Sequence, residues 1–289
     1  MKELINQEMK KWLHDVAGLN DLTLNRKWEW QGYNEGIRFA FFRLLEELRA
    51  LATNESVFPA ATEKDESYAV RRYLTDFHLV YWDLRVLLSD VNEKLFDQEP
   101  DEKEWTLRHI LSHLIDNEWA FYGVFRYGFE FSGTDEIWPT DSIPDQFFDD
   151  HFDEFGHFTD EIFHYSLDNI LDFFDEKHKI VLANLSRLLD TQLEQQLVFW
   201  EAEPKTARFR LIRFESHFRQ HTIQAEKTIR ALTGLESEVQ QILRTCMNAY
   251  SELDARLRFT SHDETQLSLH WERNIKPYLQ VIESQIEKS

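Results

Sequence analysis

The segment from Ser67 to Val91, SYAVRRYLTDFHLVYWDLRVLLSDV, places its apolar residues at the spacing of an α-helix. Its apolar positions are 70, 73, 74, 77, 81, 84, 87, 88 and 91, which follow the i, i+3, i+4, i+7 rule for one buried face. Three further segments, 101–128, 166–189 and 206–234, show the same helical pattern. Only 8 Gly and 6 Pro occur in 289 residues, so few turn signals interrupt these helices. The sequence therefore predicts an all-α protein.

A long connection, from about Gly128 to Tyr165, separates the second of these helices from the third. Its turn-forming residues are Gly128, Gly133, Pro139, Pro144 and Gly156. One long connection among short ones is typical of a four-helix bundle with a single crossover. We therefore expect the four helices to pack as such a bundle.

The net charge of the chain limits the kinds of partner that it can bind. The 32 basic and 53 acidic residues give a net charge of −21, which disfavours binding to nucleic acids and to anionic membranes. No run of about 18 uncharged apolar residues occurs, and the first residues, MKELINQEMKKWLHDV, lack the apolar core of a signal peptide. The single cysteine, Cys246, cannot form an intrachain disulfide, and its helical apolar surroundings indicate a packed thiol rather than a nucleophile. We expect a cytoplasmic protein.

Two pairs of histidines lie four residues apart: His109 with His113, and His217 with His221. On a helix each pair shares a face and can meet at one metal ion, but a tight site needs a third ligand from another helix. His217, His221 and Gln224 form one stripe at the edge of apolar surface, whereas His113 points further inward than His109, which we expect to be solvated. These histidines either bind a metal or bond to water and carboxylates, and periodicity alone does not single out His113 as the partner.

Two Glu-x-x-His matches, Glu154 with His157 and Glu161 with His164, resemble half of a di-iron motif. Di-iron bundles place these motifs on separate facing helices, whereas here both lie in one segment. We therefore interpret them as part of a solvated loop.

Three residues of the fourth helix are candidates for contact with a substrate or a metal ligand. Arg210 and Arg213 precede His217 by up to two turns and either bind an anionic substrate or pair with surface carboxylates. Gln224 either orients a group bound to the metal or only packs. No Gly-x-Ser-x-Gly motif, phosphate-binding loop or dinucleotide fingerprint is present in the sequence.

The stretch EWTLRHILSHLIDNEWAF, followed about a hundred residues later by HFRQHTIQAEKTI, resembles the DinB-like (DinB/YfiT) superfamily of metalloproteins. The shared pattern is a Trp, then a helix with His-Leu, then a last helix with His-x-x-x-His-x-x-Gln. The resemblance covers residues 66–234 and implies an up-down-down-up four-helix bundle. It also implies a metal site formed by His113, His217 and His221.

The resemblance implies a divalent ion as cofactor, with Zn²⁺ or Ni²⁺ favoured because both suit imidazole. Three protein ligands leave a coordination position open, as in catalytic sites. Members of the superfamily use low-molecular-weight thiols such as bacillithiol or mycothiol, so the first hypothesis is a thiol S-transferase acting on a small molecule. Alternatives are hydrolysis by a metal-bound hydroxide and a non-catalytic, stress-associated metal-binding scaffold. Formation of a homodimer stays open.

Residues 1–65 and 235–289 flank this bundle, and each part contains a pattern for two helices. We expect these helices to pack together, either as a degenerate, metal-free second bundle interrupted at its crossover by the first, or on the outside of the first bundle. In the N-terminal part, WEWQGYNEGIRFAFFRLLEELRAL is predicted to be a Trp-led helix that mirrors EWTLRHILSHLIDNEWAF. In the C-terminal part, His270 and Asn274 repeat the spacing of His217 and His221.

Overall fold

The computed structural model describes residues 1–30, 33–59, 65–102, 104–130, 143, 145–150, 164–199, 204–234 and 237–286. The α-helices are α1 Lys2–Val16, α2 Ile37–Ala52, α3 Tyr68–Leu87, α4 Glu93–Phe96, α5 Leu107–Glu130, α6 Asp145–Asp150, α7 Leu167–Leu185, α8 Ala207–Thr233, α9 Glu238–Phe259, α10 Glu264–His270 and α11 Lys276–Glu283. A π-helical turn, Trp271–Ile275, joins the last two, and two 3-10 helices occupy Asp21–Asn25 and Asp190–Glu194. The prediction of an all-α fold is confirmed. In the described part of the chain, no helix is long and apolar enough to span a bilayer.

Two short hairpins precede α2 and α8, and the sequence patterns did not predict them. Strand β1, Lys27–Trp30, pairs with β2, Tyr33–Gly36, and strand β3, Gln196–Leu197, pairs with β4, Lys205–Thr206. The predicted Trp-led helix was therefore wrong at its start, where residues form strands, and correct from Ile37, where α2 begins. The alternation of charged and aromatic residues in KWEW has the period of a strand. Gly36 permits a close approach here, since a Cβ at this position would lie 2.8 Å from the carbonyl oxygen of Leu24.

The chain forms two compact units. Unit 1 comprises Met1–Lys64, His78–Val91 and Thr233–Ser289, and unit 2 comprises Asp65–Phe77 and Asn92–Leu232. The sequence-based domain limits assigned all of α3 to the metal-binding bundle, whereas the second half of this helix belongs to unit 1. That the flanking helices form a degenerate bundle stays a prediction.

Unit 2 has an aromatic core between its long helices. Helix α5 packs along α7, and the Phe77 ring centroid lies 4.9 Å from those of Phe214 and Phe218 on α8. A buried polar pair interrupts this core, since the Glu118 Oε1 atom of α5 lies 2.8 Å from the His178 Nδ1 atom of α7. Aromatic packing therefore fixes α5 and α8, the two helices that carry the candidate ligands.

The ends of the long helices have clear local causes. The Ser166 hydroxyl accepts a hydrogen bond from the Asn169 amide and caps the start of α7. Helix α8 ends at Thr233, and Gly234 follows in the left-handed conformation with φ 66°, as predicted for a C-terminal glycine cap.

Unit 1 contains a buried ionic network. The Asp254 Oδ2 atom of α9 lies 2.9 Å from His78 Nε2 and 3.0 Å from Arg258 Nη2. The Asn6 amide of α1 donates to the same oxygen and to the Tyr250 hydroxyl. Burial opposes ionisation of Asp254, but Arg258 and His78 outweigh it and hold the pKa of this carboxyl well below its usual range.

Candidate metal centre

Helices α5 and α8 bring three histidines of unit 2 together. His217 and His221 lie one turn apart on α8, and His113 faces them from α5. The ring centroids lie 4.6 Å apart for His113–His221, 4.6 Å for His217–His221 and 5.2 Å for His113–His217. One ligand nitrogen from each ring lies within 4.8 Å of the other two.

This spacing is close to that of a three-histidine metal site. A metal–nitrogen bond of about 2.1 Å requires ligand nitrogens that lie about 3.4 Å apart in tetrahedral geometry. Small rotations about the side-chain torsions of histidines within 4.8 Å of one another would reach that separation. The backbone positions therefore fit a single ion held by three imidazoles.

Aromatic side chains cover the cluster. The Trp105 ring stacks on His221, with centroids 6.0 Å apart and planes inclined by 3°, and it meets His113 edge-on at 5.1 Å. Phe121 meets His217 edge-on at 5.5 Å. His217 and His221 are each only 6% exposed, so the imidazoles lie in a largely desolvated environment.

The surroundings lower the pKa of all three histidines, which favours their neutral form. Burial and then the neighbouring histidines lower the pKa of His113 to about 4. Burial, His221, Arg213 and His113 lower the pKa of His217 to about 3. Burial also lowers the pKa of His221, against the opposing effect of the hydrogen bond that His221 donates to Gln224. Metal ligands must be deprotonated, so the environment already holds these side chains in the form that binds an ion.

A hydrogen bond orients His221. The Gln224 Oε1 atom lies 2.8 Å from His221 Nδ1, and a carbonyl oxygen can only accept, so Nδ1 carries the proton. This assignment leaves Nε2 with a free lone pair for a metal. The Nδ1 atom of His217 is buried and has no hydrogen-bond partner among the described residues, and a metal–nitrogen bond at Nδ1 would compensate for its burial.

Asn117 is a neighbour of the cluster that the sequence did not single out. Its Nδ2 atom donates to the His113 carbonyl at 2.7 Å and lies 3.1 Å from His113 Nδ1. Its position one turn after His113, on the same stripe of α5, was the available signal. The amide restricts the orientation of the His113 ring.

The other candidate residues on α5 and α8 differ in how far they are buried and in how close they lie to the histidine cluster. His109 is exposed, as predicted, and its ring centroid lies 5.7 Å from that of Trp105. Arg210 does not lie on the surface, because it is 4% exposed, donates to the Leu197 carbonyl at 3.3 Å and lies over Phe199. The half-buried Arg213 is electrostatically closer to the site, since its charge lowers the pKa of His217 and His221.

The remaining sequence candidates lie elsewhere. Glu154, His157 and Glu161 lie outside the described residues, and His164 is exposed. Cys246 of unit 1 is 1% exposed, and burial raises the pKa of its thiol to about 12. The thiol lies 3.4 Å from the Phe41 carbonyl oxygen. The prediction of a packed thiol is confirmed.

Fold and site define an all-α protein with three neutral histidines suited to a divalent ion. A family model described as the DinB superfamily matches residues 76–225, just over half of the chain, and this range includes all three histidines. The chain belongs to the DinB superfamily. No curated protein and no solved structure matched the chain.

Proposed function

We propose that His113, His217 and His221 bind one divalent ion and that the protein is a metal-dependent thiol S-transferase. The observation that carries the proposal is the approach of three neutral imidazole nitrogens within 4.8 Å of one another. Three protein ligands of this kind leave a coordination position open, as a catalytic site requires. Zn²⁺ and Ni²⁺ both suit an all-imidazole set.

A bound divalent ion would supply Lewis acidity at the open position, lowering the pKa of a thiol or a water there. The three imidazoles carry no charge, so they do not neutralise the ion. Arg213 adds positive potential, and Trp105 and Phe121 limit access of water. These residues together favour an anionic ligand such as a thiolate.

The proposed reaction is a substitution by sulfur. The thiol of a low-molecular-weight cosubstrate loses its proton to solvent, its sulfur forms a bond to an electrophilic carbon of a small molecule, and the leaving group departs with the bonding electron pair. The chain contributes orientation and a desolvated site. A cytoplasmic location and the absence of nucleic-acid partners belong to the same proposal, supported by the single cysteine and the charge of −21.

Metal content tests the site. Protein purified without a His tag or chelator should contain about one equivalent of metal by elemental analysis. His113→Ala and His217→Ala should each lose it, because two imidazoles do not make a tight site. His109→Ala is the matched control, since His109 lies one turn away on the same helix but is exposed. Metal that persists in both cluster variants would refute the site.

Activity tests the reaction. Conjugation of a thiol to generic electrophiles should require the metal and should be lost in His217→Ala. Metal-dependent hydrolysis without thiol consumption would instead indicate a hydrolase. Bound metal with no turnover of a broad panel would indicate a scaffold.

A further inference from the structure

The two ends of the chain repeat the supersecondary structure of unit 2. The order helix, 3-10 helix, hairpin and helix occurs between residues 2 and 52 in unit 1 and between 167 and 233 in unit 2. Backbone hydrogen bonds between these elements recur at matching positions. In unit 1 the bonds run from Ala17 N to Leu13 O, Leu19 N to Val16 O, Thr23 N to Asn20 O, Arg26 N to Thr23 O and Ile37 N to Arg26 O. In unit 2 the corresponding bonds, in the same order, run from Ser186 N to Leu182 O, Leu188 N to Leu185 O, Gln192 N to Leu189 O, Gln195 N to Gln192 O and Ala207 N to Gln195 O.

The first residue of each 3-10 helix caps another helix in the same way. The Asp190 carboxylate accepts from the Ala69 and Val70 amides at the start of α3, both at 3.1 Å. The Asp21 carboxylate accepts from two consecutive amides at the start of α9, those of Glu238 at 3.1 Å and Val239 at 3.0 Å. The start of α9 therefore occupies in unit 1 the place that the start of α3 occupies in unit 2.

Helices α5 and α10 also correspond. The Thr106 side chain caps the start of α5, and the Asp263 side chain caps the start of α10. Counted from these caps, His270 falls at the position of His113. The Asn one turn later recurs as well, because Asn274 Nδ2 lies 3.3 Å from His270 Nδ1, as Asn117 Nδ2 lies 3.1 Å from His113 Nδ1.

We infer that unit 1 is a second bundle of the same type, assembled from both ends of the chain, which keeps one of the three histidines and needs no metal. Helices α9 and α10 stand in it for α3 and α5, and α1 and α2 stand for α7 and α8. His270 is thus the counterpart of His113, not of His217 as the spacing in the sequence suggested. The inference goes beyond the function proposed for unit 2.

Because a hairpin precedes both α2 and α8, the two helices can be aligned from their first residues. This alignment shows which residues of α2 stand at the positions of His217 and His221. Counted from Ile37 and Ala207, the counterpart of His217 is Glu47, the counterpart of His221 is Leu51 and the counterpart of Gln224 is Asn54. Leu51 is 3% exposed and cannot bind a metal.

In unit 1, side-chain amide groups lie next to both ring nitrogens of the one histidine that is kept, His270. The Asn54 Nδ2 atom lies 3.2 Å from His270 Nε2, and Asn274 lies on the Nδ1 side. Among the described residues, the only group of three or more His, Cys, Asp or Glu side chains close enough to share an ion is the one in unit 2. In the second site, amide groups therefore lie next to both ring nitrogens of His270, and the residues at the other two ligand positions supply no imidazole.

Restoring the two missing ligands tests the inference. Glu47→His with Leu51→His, made in full-length protein that also carries His113→Ala and His217→Ala, should create a Ni²⁺ site of one equivalent, measured by titration against a chromophoric chelator. Removal of His270 from this variant should weaken Ni²⁺ binding at least tenfold. The matched control is Glu46→His with Ala50→His, an exposed pair with the same spacing on the same helix.

The inference is overturned if the restored pair binds Ni²⁺ no more tightly than the exposed control pair, or if loss of His270 has no effect. If the double substitution unfolds the protein by circular dichroism, the single variants decide: Glu47→His with His270 should bind Ni²⁺ at least tenfold more tightly than Glu46→His, and equal affinity overturns the inference. Metal content of the unmodified protein tests the function of unit 2 separately, so the two ideas can fail independently.

Discussion

Gln224 provides the sharpest test of how the candidate centre works. Its Oε1 atom accepts the Nδ1 proton of His221 at 2.8 Å and thereby presents the opposite nitrogen as a ligand. Gln224→Leu keeps the side-chain volume but removes the acceptor. His221 would then lose both its preferred tautomer and its fixed ring orientation.

The size of the effect follows from this geometry. One lost hydrogen bond weakens the oriented state by about 0.5–1.5 kcal/mol, and loss of the tautomer preference adds to it. Removal of a hydrogen-bond partner of a metal-binding histidine typically lowers metal affinity about 10- to 100-fold, or about 1.4–2.7 kcal/mol. We expect Gln224→Leu to fall in that range.

Competition against a chromophoric chelator measures the dissociation constant for Zn²⁺ directly. Gln224→Glu should bind at least as tightly as the unchanged protein, because a carboxylate is a stronger acceptor for the same proton. Ile223→Ala, at the exposed neighbouring position, is the control for general effects on α8. An unchanged affinity in Gln224→Leu, or an equal loss in Gln224→Glu, would contradict the assigned role.

Three further predictions concern buried titratable groups. Asp254→Asn should destabilise unit 1 by about 3–5 kcal/mol at pH 7 in chemical denaturation, since Arg258 then keeps a buried charge without its counter-ion. Folding lowers the pKa of Asp254, so the ionised carboxylate stabilises the protein at pH values above its unfolded pKa, near 4. The difference in free energy of unfolding between Asp254→Asn and the unchanged protein should therefore shrink as the pH falls below about 4. A difference that stays constant with pH would be inconsistent with an ionised Asp254. Cys246 should resist alkylation at pH 8 until the protein unfolds, because burial raises the pKa of its thiol to about 12, and rapid labelling under native conditions would argue against its burial. Burial raises the pKa of Glu118 well above its usual value, so the side chain does not depend on its charge. Glu118→Gln should keep the hydrogen bond to His178 and change the free energy of unfolding by under about 1 kcal/mol, whereas Glu118→Ala should lower it by about 2–4 kcal/mol. Equal losses for both variants in thermal unfolding would show that the carboxylate charge is required.

The sequence determined the helices better than it determined the connections. Each long amphipathic pattern became a helix, because a continuous apolar face at helical spacing has no other way to be buried. The hairpins before α2 and α8 were missed, since two to four residues per strand provide too short a period to compete with the helical pattern that follows. Only the KWEW alternation carried a signal for β1, and its tryptophans suggested a helix instead.

The candidate centre was predictable in unequal parts. His217 and His221 follow from their spacing on one helix, because four residues bring two side chains to one face. His113 came from the family resemblance, since no periodicity relates a residue of α5 to a residue of α8. Asn117 and the covering position of Trp105 required the structure, because contacts between α5 and α8 depend on how the two helices pack.

The correspondence between the units relates His270 and Asn274 to His113 and Asn117, and not to His217 and His221. Caps and turns carry the correspondence between the units, because Asp21 and Asp190 make the same hydrogen bonds. Apolar faces are less informative, since they tolerate exchange of one hydrophobic residue for another. A His-x-x-x-Asn spacing is therefore ambiguous until a cap fixes its position along the helix. With the caps aligned, the two centres differ in the groups that lie next to their imidazole nitrogens. Unit 1 supplies amide groups on both sides of His270, whereas unit 2 leaves a buried nitrogen of His217 without a hydrogen bond among the described residues, and this difference favours an ion in unit 2 alone.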